Sequence, residues 1–294
     1  MSQTADQQTL RNQHLLLVDD TVLDSDVDVL LSNVLPRLTA EGSTRKLSRY
    51  STLTGPLEIT ESVAEEAQIP SVFAAAYALS TPLEREPEAP PEWFVHSEGI
   101  EKLFPSGLPV REEERGVDLL IALARRLHAA VRIADEAEPG GHERIIVPDP
   151  DAHPEITVYS QYWITSDLLL PLIEKAVPEG QVVDTSADVP EDQELDGYSL
   201  DIDLGEGRGL IELGVMVETA LPTIVERFAD GPQTAYSIRW HADDEDDSSR
   251  EHRRIRRAAA GIIGDLAASV VEATGGAPVD RDGFLLAGHQ LKGL

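Results

Sequence analysis

YSLDIDLGEGRGLIELGVMVE, residues 198–218, alternates apolar and polar positions on either side of a glycine-rich turn. Alternation at period two marks a half-buried strand, and GEGRG (205–209) between the two runs reads as a hairpin turn. The flanking segments extend the pattern. Upstream, ITVYSQYWIT (156–165) alternates as another strand. SDLLLPLIEKAV (166–177) then reads as a helix capped by Ser166 or Thr165, with Pro171 in its first turns or kinking it. Downstream, LPTIVERFAD (221–230) reads as a helix with Pro222 near its start and Gly231 past its end. TAYSIRWHA (234–242) completes the set as a strand.

The element order is βαββαβ, which resembles the ferredoxin-like arrangement. The predicted class is therefore α+β: a central ferredoxin-like unit flanked by helices, with a smaller N-terminal α/β unit. This superfold carries many unrelated functions, so it assigns none. Strand alternation divides the unit into two residue sets. Ile156, Val158, Tyr162, Ile164, Leu200, Ile202, Ile211, Leu213, Val215, Val217, Tyr236, Ile238 and Trp240 are expected to face the helices. Tyr159, Gln161, Trp163, Asp201, Asp203, Glu212, Met216, Arg239 and His241 are expected on the other face. That second set mixes aromatics with charge, as binding faces do, and lacks the aromatic-plus-basic pattern of an RNA reader.

Outside this unit the chain organises as follows. Residues 1–12 read as a loose tail and 13–92 as the N-terminal unit, which ends in the Pro/Glu-rich linker TPLEREPEAPPEW (81–93). The helix-flanked domain is expected over 93–294. Two extended candidates fall at 53–60 and 71–80. An amphipathic helix covers 111–131, with acids first and Arg125 and Arg126 late, as the helix dipole favours. A long helix over 249–273 ends at Gly275-Gly276 and leads to a short strand with a turn. The earlier helix likewise leads, through Gly140-Gly141, to the strand ERIIVP. This echo fits flanking elements or an old duplication.

LLLVDDTVLDSDVDVLL (15–31) resembles the opening of a receiver domain, where a strand ends in paired acids. No aspartate lies between Asp28 and Asp118, so the acceptor is missing and the reading fails. Asp24, Asp26 and Asp28 also imitate an EF-hand loop, but Val29 and Leu35 stand where Gly and Glu are needed. The segment reads as a buried strand at 15–18 followed by a helix with Val27, Leu30, Leu31, Val34 and Leu38 along one stripe.

There are 54 acidic against 24 basic side chains, a net charge of −30, and four of the bases are lysines. Such a field repels nucleic acid and anionic membrane, and it suits either salt adaptation or a basic protein partner. With no cysteine, thiolate chemistry, disulfides and cysteine-ligated metals are excluded. No uninterrupted apolar run of about 18 residues predicts a membrane span. The polar start lacks a secretory h-region, so a soluble cytoplasmic protein is expected.

No catalytic constellation is complete. Ser43-Thr-Arg-Lys46 matches S-x-x-K, but its companion motifs are absent. The glycines at 205–209 join strand to strand, so no helix N-terminus follows to receive a phosphate. His142, Asp151 and His153, in a proline-rich stretch, form a weak metal candidate. DDEDDSSREHRRIRR (243–257) places Arg250, Arg253, Arg254 and Arg257 on one helical face, against the dipole. Ile255, Ala259, Ile262, Ile263 and Leu266 occupy the side turned to a core.

These features predict a non-enzymatic protein-binding or regulatory module without a cofactor. Its binding residues would be Tyr159, Trp163, Asp201, Asp203, Glu212, Arg239 and His241, or the arginine face. The competing readings are a carboxylate/histidine enzyme, metal-assisted or not, and anion or nucleic-acid binding through the 250–257 helix.

Overall fold

The computed structural model describes residues 3–4, 7–91, 99–134, 144–184, 197–243 and 249–291. The chain forms two compact units, Met1–Ala152 and His153–Leu294. Each is a sheet with helices, so the protein is α+β.

The first unit runs β1 (Gln3–Thr4), α1 (Gln7–Asn12), β2 (His14–Val18), α2 (Asp24–Val34), β3 (Thr39–Glu41), β4 (Thr44–Lys46) and β5 (Thr52–Glu58). It continues with α3 (Glu61–Ala67), β6 (Ala75–Ser80), α4 (Ile100–Leu103), α5 (Arg111–Leu127), β7 (Ala130–Arg132) and β8 (Ile145–Ile146). The second unit runs β9 (Glu155–Ser160), α6 (Ser166–Ala176), β10 (Gln181–Asp184), β11 (Gly197–Asp203), β12 (Leu210–Glu218) and α7 (Thr223–Glu226). Then come β13 (Gln233–His241), α8 (Arg250–Thr274), β14 (Ala277–Asp280) and α9 (Gly288–Leu291).

The strand orders are β3-β4-β5-β6-β2-β7-β8, with β1 parallel beside β5, and β10-β11-β12-β13-β9-β14. From β2 to β7 and from β9 to β14 these are the same topology. A first strand leads to a helix, then to a meander whose last strand returns beside the first. A long helix follows, and its exit strand pairs with the first strand's other edge. Register matches as well. Leu16 pairs with Tyr77 and Val131, and Val158 pairs with Tyr236 and Pro278. Helices α2 and α6 each have 11 residues and bury Val27 and Leu31, or Leu169 and Ile173, at matching positions. Helices α5 and α8 end in left-handed caps, His128 and Gly275. The internal echo is thus structural, but its partner strand is β7 rather than ERIIVP.

The ferredoxin-like order expected for 156–242 is not the one present. A split βαβ unit runs its helix-joined strands parallel, with another strand between them. Here β12 and β13 are antiparallel and directly paired, from Leu210↔His241 to Glu218↔Gln233. Helix α7 is four residues long, far too short to cross a sheet, so the connection is a hairpin. Strand β10, invisible to the alternation argument, adds an edge beside β11.

The division of the chain also differs from the 92/93 boundary expected from composition. β7 pairs with β2, so the stretch through α5 belongs to the first sheet. The supposed linker is pinned there: Glu86 N donates to Leu108 O at 2.9 Å and Val110 N to Glu84 O at 3.0 Å. Nor are residues 7–12 a loose tail, since they form α1 and bury Leu10 completely.

In the second unit one sheet face packs on α6 and α8. Its core joins Ile156, Val158, Leu200, Ile202, Ile211, Leu213, Val215, Tyr236 and Ile238 to Leu169, Ile173, Ile263, Leu266 and Val270. Burying each such side chain contributes about 1.5–3 kcal/mol. The expected helix-side set is correct along most of the strands and fails at Tyr162, past the end of β9, and at Val217, near the end of β12, both exposed. Pro171 lies inside α6 on its solvent side.

Candidate binding face

The other face of the second sheet has rows fixed by the antiparallel register. One row reads Val183, Asp201, Glu212, Arg239, Glu155 across five strands. The next reads Ser199, Gly214, Ser237, Thr157, and the third Gly197, Met216, Ala235, Tyr159, Ala277. The middle row is built of small residues, and a Cβ placed on Gly214 would meet no atom within 4 Å. The result is a trough across the strands, walled on one side by charge and on the other by a thioether and an aromatic ring.

The charges are partly paired. Arg239 Nη2 donates to Glu155 Oε1 at 2.9 Å, and His241 Nε2 lies 3.0 Å from Glu212 Oε2. These pairs are half-exposed and contribute little to stability. Asp203 and Met216 are exposed. Burial raises the Tyr159 phenol above its ordinary range, with Glu218 and Glu155 adding to the shift. The face can pair charge with a visitor and pack against Tyr159 and Met216. The hairpin beside it holds its shape through Gly209, whose φ is +73° and whose absent Cβ would fall 2.1 Å from His241 O.

Of the residues expected to bind, Tyr159, Asp201, Asp203, Glu212, Arg239 and His241 share this face. Trp163 does not. It lies in the β9–α6 loop, edge-on to Tyr198 at 5.6 Å, and Tyr198 packs toward the helix-side core. Trp163 is 41% exposed. Arg250, Arg253, Arg254 and Arg257 are exposed on the first turns of α8, which packs on the opposite side of the sheet. Arg254 grips Glu251 with contacts of 2.6 and 3.2 Å, while Ser249 Oγ caps the helix by accepting from His252 N. Glu251 consequently sits below the usual carboxylate range, through its hydrogen bond and charge contact with Arg254. The candidate residues therefore occupy three places: the open sheet face, the β9–α6 loop and the first turns of α8.

Of the metal candidate, His142 lies outside the described residues. Asp149 Oδ1 accepts from Asp151 N at 3.0 Å, which makes a turn of that stretch. Among the described residues no three His, Asp or Glu side chains gather to hold a metal ion, and no helix is long and apolar enough to cross a membrane. A shallow 190 Å³ pocket between the end of α6, the β11–β12 turn and Ile262 is lined by apolar groups with Arg208 and Glu179.

Two polar clusters in the first unit escaped the sequence reading. Ala134 N donates to His14 Nδ1 at 3.3 Å, which leaves Nε2–H to donate to Glu113 Oε1 at 2.8 Å. Glu113 is fully buried, accepts from Glu84 N at 2.6 Å and forms an ion pair with Arg85 Nη1 at 2.5 Å. The available signal was an acid on the apolar stripe of α5, in line with Gly116, Val117 and Leu120. In the second cluster Asp24 and Asp28, one helical turn apart, hold the buried Arg45, with Nε to Asp28 Oδ1 at 2.6 Å. Two of the three aspartates that imitated a calcium loop are an arginine clamp, and the third, Asp26, accepts from Leu23 N at 2.9 Å. Tyr77 donates to Asp24 Oδ1 at 3.1 Å, and burial followed by the Asp24 charge pushes its phenol well above the ordinary range.

No family model, no curated protein and no solved structure matches this chain.

Proposed function

We propose that this chain is a non-enzymatic, cytoplasmic protein-binding module whose second unit receives the partner on its uncovered sheet face. One observation carries the reading. The equivalent face of the first sheet is covered by the chain itself: α1 and α3 pack Leu10, Ala64 and Ala67 onto Leu15, Leu17, Leu57, Ala76, Ala78 and Ala130. The second unit has one turn, α7, where the first has α3, and within it β9 is the first element, with no described helix before it in the place of α1. Its face is neither apolar enough to need a cover nor uniformly polar like a plain solvated surface.

The test is affinity capture on the full chain against Gly214→Gln. A Cβ at Gly214 meets no atom within 4 Å, so the substitution starts from open space, and the longer side chain fills the trough. A partner held by the wild type and lost by the folded variant is the expected result. A partner kept by Gly214→Gln and lost by Arg253→Glu/Arg254→Glu would move binding to the α8 surface. No partner in any sample would refute the reading.

A further inference from the structure

We infer that the occupant of this face is a basic amphipathic helix, seated as α1 and α3 are seated on the first unit. The inference rests on the binding reading above and specifies its partner. The two sheets share strand order, and β9 and β13 pair in the register of β2 and β6, so the Tyr159–Met216 side of the open face has counterparts under a helix, while the charged row Asp201, Glu212, Arg239 and Glu155 corresponds to Lys46, Thr52, Ser80 and Gln13, outside that apolar cluster. Thr157 and Tyr159 stand where Leu15 and Leu17 stand. Met216 and Ser237 stand where Leu57 and Ala78 stand. A helix is therefore a shape that this sheet curvature accommodates within the same chain, and the small middle row lets a helix approach closely.

The chemistry of the visitor follows from the side chains that line the open face. In the first unit the covered face is leucine and alanine, and its helices bring apolar residues. In the second, one wall is Asp201, Glu212 and Glu155 with Asp203 beyond it, and Arg239 already spends its charge on Glu155. The other wall, Met216 at 52% exposure with Tyr159, is apolar and adaptable. A complementary helix carries lysine or arginine along one edge and aliphatic residues along the other. The chain's net charge of −30 steers such a helix toward the protein and repels an acidic one.

The measurement is selection of a display library of helical peptides, randomised at surface positions, on the full chain, with folded Asp201→Lys/Glu212→Lys protein as counter-selection. Glu61→Lys/Glu65→Lys, the same charge change on exposed sites of the first unit, is the control. The expected outcome is enrichment of net-positive peptides that bind as helices. They should lose about tenfold or more in affinity on the Asp201/Glu212 variant and on Gly214→Gln, and little on the control. Enrichment of acidic or extended peptides that still depend on Gly214 overturns the basic helix and leaves the binding module standing. Peptides equally affected by the control, or no enrichment, overturn the inference; face-independent binding also counts against the module itself.

Discussion

Strands β2 and β9 hold the same place in their sheets, yet β2 is buried along its whole length and β9 on one face only. The difference comes from the cover. In the first unit α1 and α3 close the second face. In the second unit the counterpart positions are Thr157, Tyr159, Met216, Ala235, Ser237 and Ala277, a mixed set in which only Ala235 is buried. The helix side differs in the opposite sense. Glu112 and Glu113, near the start of α5, correspond to Ala259 and Ala260 in α8, and His14 corresponds to Ile156, counted from the matched caps and registers. The first unit thus carries polar chemistry beneath its helices and the second carries it on its exposed sheet. One topology supports both because the strand pairing uses backbone groups alone and leaves each face free to vary.

The comparison is broken most directly at Glu113. Glu113→Ala strands the buried Arg85 and His14 contacts and should lower stability by about 3–5 kcal/mol. Urea denaturation measures this, and a loss under about 1 kcal/mol would show that the network relaxes freely. Next comes the covered–uncovered pair. Leu57→Ala should cost about 2–5 kcal/mol and Met216→Ala under about 0.5 kcal/mol. Equal losses would mean that Met216 is covered in solution and that the two faces do not differ.

Tyr77 and Tyr236 sharpen the likeness between the units. Both are buried, and each phenol is bonded at the entry to the helix that follows the matched strand, α2 after β2 and α6 after β9. Tyr236 donates to Tyr162 O and accepts from Ile164 N, both at 2.8 Å. Tyr77→Phe and Tyr236→Phe should each cost about 1 kcal/mol. If only one matters, the shared topology does not extend to a shared anchor.

The smallest effect is at Glu112, which accepts from Ser48 Oγ at 2.8 Å and Ser51 Oγ at 3.0 Å. The Ser48 bond first, then Ser51 and Arg115, hold its carboxyl below the usual range despite desolvation. A depressed carboxylate stabilises the fold above its unfolded value and loses that contribution as pH falls through its folded value. Glu112→Gln should therefore lower stability by under about 1 kcal/mol at neutral pH. The gap should close as the solution is acidified below the carboxylate range. A gap that persists at low pH would assign the effect to packing.

Much of the second unit was legible. Alternation along 156–218 and 234–242 separated the two faces, because period-two burial is a local property that any half-covered strand displays. The open-face candidates came from that alternation. Trp163 was misassigned because alternation was carried past Ser160 into a loop, where direction is set by the hydrogen bonds of Tyr198 and Tyr236 with the loop backbone. The strand order was not legible. Element sequence is common to several sheets, and whether 221–230 crosses over or turns back depends on how many residues stay helical.

The amino-acid sequence by itself determined the α+β class, most of the strand faces, the two long helices (read as 111–131 and 249–273, observed as Arg111–Leu127 and Arg250–Thr274), the strong negative field and the absence of cysteine chemistry. Each of these follows from local periodicity or composition. Only the tertiary structure decided the division at 152/153, the twofold use of one strand order, the burial of Glu113 and the clamp on Arg45. Those depend on residues distant in sequence, such as His14 with Glu113 and Asp24 with Arg45, brought together by long-range strand pairing that no local pattern encodes.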